Sequence, residues 1–144
     1  MTHEDAGHYA AKHPKGAKVK DELLRAVKEV AREETISCAE AFTVARNLDV
    51  QPREVGMAID MLEIKIEKCQ LGLFGYGSQK RILEPAEEIN EEIKSAIENV
   101  LVEGRISCAE CWEIAARFKR PKMYVASVCE AISVKISPCQ LGSF

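Results

Sequence analysis

The chain writes one stretch twice. Ile36-Ser37-Cys38-Ala39-Glu40 returns as Ile106-Ser107-Cys108-Ala109-Glu110, and Cys69-Gln70-Leu71-Gly72 returns as Cys139-Gln140-Leu141-Gly142, both at an offset of 70 residues. Aligning residues 22–74 on 92–144 gives 18 identities in 53 positions without a gap. Four precede Ile36, five are the Ile-Ser-Cys-Ala-Glu block, and the rest are Ala45, Val55, Lys65-Ile66, Cys-Gln-Leu-Gly and Phe74. This is a tandem duplication, so the fold is two copies of one small unit. Differences between the copies then carry the functional information.

The repeat sets the expected division: a tail over 1–18, one unit over 19–83 and a second over 84–144. Units of about 60 residues lie near the lower limit for independent folding. With a net charge of −3, the chain does not coat nucleic acid or membrane through bulk charge, although local patches can act. No window approaches 18 uncharged apolar residues, so no membrane partner is expected. With the early acids Glu4 and Asp5 and no apolar stretch behind them, no secretory leader is expected, and six cysteines then point to a reducing cytoplasm. His3, His8 and His13 all fall in the tail, at a spacing of five that fits no helical or zinc-finger ligand pattern, and are expected to be solvated.

From Val19 the apolar spacing becomes helical. Leu23, Ala26, Val27, Val30 and Ala31 form one stripe, matched by Ile93, Ala96, Ile97, Val100 and Leu101, with Ile89 extending it and Pro85 near its start. Gly104 is expected to end that second-unit helix. Thr35-Ile36-Ser37 and Arg105-Ile106-Ser107 read as single short strands. Ser37 and Ser107 then cap a second helix, with Glu40 and Glu110 three residues on completing capping boxes. A third helix begins near Pro52 and Pro121, burying Val55, Ala58, Ile59 and Leu62 or Val125, Val128, Cys129 and Ile132. Ile64-Lys65-Ile66 and Val134-Lys135-Ile136 alternate as strands do. A tight turn into a second strand over 69–74 and 139–144 would make each a β-hairpin. Gly72 to Gly77 reads as a hinge between the units, with Phe74 packed beneath it.

Helix, strand, helix, turn, helix, hairpin resembles the winged helix-turn-helix superfamily, with residues 37–62 similar to its helix-turn-helix core. The resemblance covers both copies and implies a mainly α fold with small β-hairpins (α+β), built as two tandem winged-helix-like units. It also implies a DNA-binding transcription regulator whose third helix enters the major groove of double-stranded DNA. Three features depart from the pattern: Asp49 and Lys119 stand where the turn usually has glycine, the wing is short, and the first copy is acidic. Residues 38–63 carry Glu40, Asp49, Glu54, Asp60 and Glu63 against Arg46 and Arg53, a net of −3, which repels phosphate. Residues 108–133 carry Glu110, Glu113 and Glu130 against four bases, a net of +1. The expected DNA contacts are therefore Arg117, Lys119, Arg120 and Lys122 for phosphate, with Tyr124 and Ser127 on the outer face of the third helix. Tight binding would call for a homodimer. The second reading is a non-catalytic module built on winged helices that binds a protein partner and senses metal or redox state through the paired cysteines Cys38, Cys69, Cys108 and Cys139.

Cys38 with Cys69, and Cys108 with Cys139, fall where the short strand meets the hairpin. They are read as buried apolar side chains, with zinc or an iron–sulfur cluster as the competing assignment and no other cofactor expected. Cys111 and Cys129 replace Ala41 and Ile59 on core stripes. Enzymatic function is not expected, because no histidine follows residue 13 to serve a Cys or Ser nucleophile and no phosphate loop occurs.

Overall fold

The computed structural model describes residues 9–13 and 19–144. His3 and His8, and the tail expected over 1–8 and 14–18, lie outside the described residues. Among the described residues the protein is mainly helical with a few short strands. The first repeat forms α1 (Asp21–Val30), β1 (Thr35–Ser37), α2 (Cys38–Leu48), α3 (Pro52–Met61) and β2 (Lys65–Glu67). The second forms α4 (Glu91–Asn99), β3 (Arg105–Ile106), α5 (Cys108–Phe118), α6 (Lys122–Ala131) and β4 (Lys135–Ile136). Single 3₁₀ turns lie at Tyr9–Lys12 and Gly77–Gln79. No helix is long and apolar enough to cross a membrane.

The 70-residue offset extends to single backbone angles. Asp49 and Lys119 close α2 and α5 in the left-handed conformation at φ 52° and 55°, the place where helices most often use glycine. Glu33 and Glu103, and Glu63 and Ser133, share positive φ in the same way.

Local chemistry explains the helix starts. Ser37 Oγ accepts from the Glu40 N–H at 3.1 Å, and the Ser37 N–H donates back to the Glu40 carboxylate at 3.1 Å, closing the box the sequence predicts. In α5, Ser107 Oγ accepts from the Glu110 N–H at 3.1 Å. The Ser37 N–H, then its hydroxyl, hold the Glu40 carboxyl below its ordinary value. A lowered folded value means that this contribution is complete above the unfolded glutamate pKa and disappears as pH falls through the folded one. Glu40→Gln should therefore flatten the acid limb of stability below about pH 4.3, read as urea midpoints compared with wild type over that range.

The expected hairpins are not formed. β2 pairs with β1 in parallel, Ile36 opposite Ile66, and β4 pairs with β3 in the same register, Ile106 opposite Ile136. Parallel neighbours need a long crossover, which α2 and α3 provide between the strands of the first pair. Residues 69–74 form no strand along the other edge of β2 and run on as turns and bends. Lys68, at φ 53°, turns the chain out of β2.

The second-unit helix also starts and stops elsewhere than the sequence suggests. α4 opens at Asn90, whose Oδ1 accepts from the Ile93 N–H at 3.0 Å. Pro85 and Ile89 therefore precede the helix. Gly104 lies in the turn before β3, at φ 75°, and the last turn of α4 closes on Val100. Leu23, Ala45, Val55 and Ile59, with Ile93, Ala115, Val125 and Cys129, are buried as expected. Val30, Leu62, Val100 and Ile132 are only half-buried, because they sit at the ends of their helices where the partner helices no longer cover them.

Two compact units result, but they do not divide the chain at 83/84. The first takes in the described residues up to Cys69 together with Gln140–Phe144, and the second is Gln70–Cys139. Each repeat's Gln-Leu-Gly segment thus folds with the other repeat's helices. In the first unit the Leu141 backbone crosses α3 so closely at Gly56 that a β-carbon there would overlap the Leu141 carbonyl oxygen. Leu141 itself is 2% exposed. In the second unit Leu71 is fully buried, and the Gly72 carbonyl accepts from the N–H groups of Ile82 and Leu83 at 3.0 and 3.1 Å. Residues 72–83 therefore close a loop within the second unit, in place of the hinge expected there, with Phe74 buried.

Candidate functional site

The surface most open to chemistry lies around the third helix of each unit. In the second unit the α5–α6 turn gathers the expected bases. Lys119 and Arg120 are exposed. Arg117 reaches Glu113 at 4.0 Å and lies 5.2 Å from the centre of the Phe118 ring. The Arg120 guanidinium stacks 3.9 Å over Tyr124, and Lys122 Nζ sits 4.5 Å over Trp112. Three of the four bases therefore lie on aromatic faces, an arrangement that holds a cation without neutralising it.

Tyr124 and Ser127 are not on an open face. The Tyr124 hydroxyl donates to the Glu88 carbonyl at 3.0 Å and accepts from the Asn90 N–H at 3.1 Å. Ser127 Oγ donates to the Tyr124 carbonyl at 2.6 Å, and the Ser127 carbonyl accepts from the Ala86 N–H at 2.9 Å. The chain leading into α4 is thus laid across α6 and uses both residues as anchors. A cleft of about 520 Å³ remains between that chain and Arg120 with Tyr124.

The repeat-related cleft in the first unit, about 620 Å³, runs between α1 and α3. Leu23, Val50, Met57 and Leu141 line it, with His13 and Asp60 on its wall. Val50 and Glu54 stand where the second unit has Arg120 and Tyr124. The acids of this unit are committed locally: Glu54 accepts from the Gln51 N–H at 3.0 Å, and the Glu63 carboxylate takes the Tyr9 and Ala10 N–H groups, each at 2.9 Å. His13 Nε2 meets the buried Asp60 carboxylate at 2.7 Å. Residues 9–13 are thus docked on α3 with Tyr9 buried, where a solvated tail was expected. The same position recurs in the second unit, where Glu130 holds Arg81 at 3.0 Å. Asp60 and its partner escaped the sequence reading. An acid at 60 and again at 130, each next to a buried position of the third helix, was the available signal.

Of the four cysteines weighed as ligands, Cys38, Cys69 and Cys108 are buried and Cys139 is half-buried. The Cys108 N–H donates to the Pro138 carbonyl at 3.0 Å, which brings Cys108 alongside the residue before Cys139. Among the described residues no group of three or more His, Cys, Asp or Glu is placed to hold a metal ion. Cys111 and Cys129, on α5 and α6, both have zero accessible surface. Hydrogen bonding with the Cys129 thiol and then burial push the Cys111 thiol far above its ordinary value, and hydrogen bonding with Cys111 lowers that of Cys129.

No protein-family model, curated protein sequence or solved structure matches this chain.

Proposed function

We propose that this chain is a non-catalytic, cytoplasmic interaction module that offers folded helical surfaces to a protein partner. One observation carries the reading: Tyr124 and Ser127, the residues best suited to reach base edges from α6, are spent on anchoring residues 86–90. A helix whose outer face is already covered by its own chain cannot seat in a major groove without losing those bonds. The acids Glu54, Asp60 and Glu63 on and beside α3 add repulsion toward phosphate in the first unit. On this reading each unit is a variant of the helix-turn-helix core of the winged-helix superfamily; the parallel pairing of its two short strands in place of a wing counts against the DNA-binding form.

A second reading, the DNA-binding transcription regulator, is favoured by one feature. Lys119 and Arg120 are exposed beside Arg117 at the entry to α6, where a few phosphates could be neutralised. Fluorescence anisotropy with labelled duplex at two salt concentrations separates the two. The expected result is equally weak binding by wild type and by Arg120→Glu/Lys122→Glu, with no difference in salt slope. Tight wild-type binding whose salt slope falls in the double variant would overturn the proposal in favour of the regulator.

A further inference from the structure

We infer that the cleft between α1 and α3 in the first unit is a binding site for a small amphiphilic carboxylate, an acyl chain ended by one negative charge. Its floor is apolar, lined by Leu23, Val50, Met57 and Leu141, and its volume of about 620 Å³ is that of a small-molecule pocket. Lys20 and Arg53 stand on its wall, both exposed, and among the described residues neither makes an ion pair. The acids on the same wall are engaged already: Glu54 accepts from the Gln51 N–H at 3.0 Å, and Asp60 meets His13 at 2.7 Å. Apolar surface beside two cations that have no partner is complementary to an apolar tail carrying an anionic head.

Comparison of the repeats shows why only the first unit has this lining. In the second unit the chain entering α4 crosses the third helix and is pinned by the Tyr124 hydroxyl, which bonds both Glu88 and Asn90. Seventy residues earlier Glu54 replaces Tyr124, so that anchor is gone. Val50 replaces Arg120 and Met57 replaces Ser127, which turns two polar positions of the cleft apolar. Two others change the opposite way. Arg53 replaces Met123, and Lys20 replaces Asn90, the residue that caps α4, so α1 opens on a cation without a side-chain cap. The second unit's own cleft, bounded by residues 86–90 with Arg120 and Tyr124, has no such apolar floor.

Isothermal titration of the full chain with sodium decanoate should give one saturable site, with affinity falling as salt is raised because charge holds the head group. Of the four methionine methyl signals, that of Met57 should shift on titration while that of Met123, in the second unit, stays in place. Decyltrimethylammonium, a chain of the same length with the opposite charge, should bind more weakly. Lys20→Glu with Arg53→Glu, both at exposed positions, should keep the wild-type melting temperature and lose about tenfold in decanoate affinity. Val50→Arg with Met57→Ser installs the residues the second unit carries there and should abolish binding with the helical circular dichroism signal retained. Absence of a saturable site, equal affinity for the two amphiphiles, unchanged affinity in the Lys20→Glu/Arg53→Glu variant, or a shift of Met123 in place of Met57 would overturn the inference.

Discussion

Replacing Leu141 with alanine should destabilise the first unit by about 2–5 kcal/mol and leave the second nearly untouched, although Leu141 belongs by sequence to the second repeat. Its side chain is 2% exposed and its backbone lies on α3 at Gly56. The same contact reverses the usual effect of Gly56→Ala. In a helix interior that change gains about 1 kcal/mol from propensity. Here the new methyl group meets a backbone carbonyl that cannot rotate away, so residues 140–144 must lift off, and the lost burial outweighs the gain by about 2 kcal/mol. Amide hydrogen exchange distinguishes the outcomes. Both variants should lose protection in α1, α2 and α3 while α4, α5 and α6 keep theirs. Loss confined to α4–α6 would mean that the segment folds with its own repeat.

Val125→Asp should abolish the second unit, and Val55→Asp the first. Both valines have no accessible surface, and each sits on the third helix at the centre of its unit. A carboxylate there has no partner and costs about 4 kcal/mol or more. Some 70 residues supply roughly 4–10 kcal/mol in total at ordinary stability per residue. The loss therefore consumes most of what the unit has. Circular dichroism should show each variant losing helix, with amide protection surviving in the other unit's helices. Retention of full helical signal and a cooperative wild-type midpoint would contradict the assigned cores.

Much of the fold was legible because its causes are local. The Ser37 and Ser107 caps, the apolar stripes of α2, α3, α5 and α6, and the exact repetition of Ile-Ser-Cys-Ala-Glu depend on residues within a turn or two of each other. Strand direction was not. Ile64-Lys65-Ile66 alternates identically whichever strand it pairs with and in whichever direction, and the parallel partner it takes, β1, lies 30 residues away. The destination of Leu141 was less visible still, since Leu71 and Leu141 sit in the same four-residue motif. Gly56 was the one clue: a glycine inside a helix, where the second repeat has Ala126, marks a close backbone approach. The bases at 117–122 were found by charge alone. The covering of Tyr124 and Ser127 by residues 86–90 was hidden because every bond in it ends on a backbone N–H or carbonyl of residues 86–90, which leaves no mark in the side-chain pattern of that stretch.

The traded Gln-Leu-Gly ends bear on what half of this chain could do. A polypeptide holding one repeat would carry an end shaped for another copy's third helix and lack the end its own requires. It would complete its core by exchange with a second molecule, and its stability would then rise with protein concentration, as for any swapped dimer. Joining two repeats on one chain replaces that encounter with an internal one, at an effective concentration in the millimolar range set by the tether. The full-length protein should accordingly melt at a temperature independent of dilution.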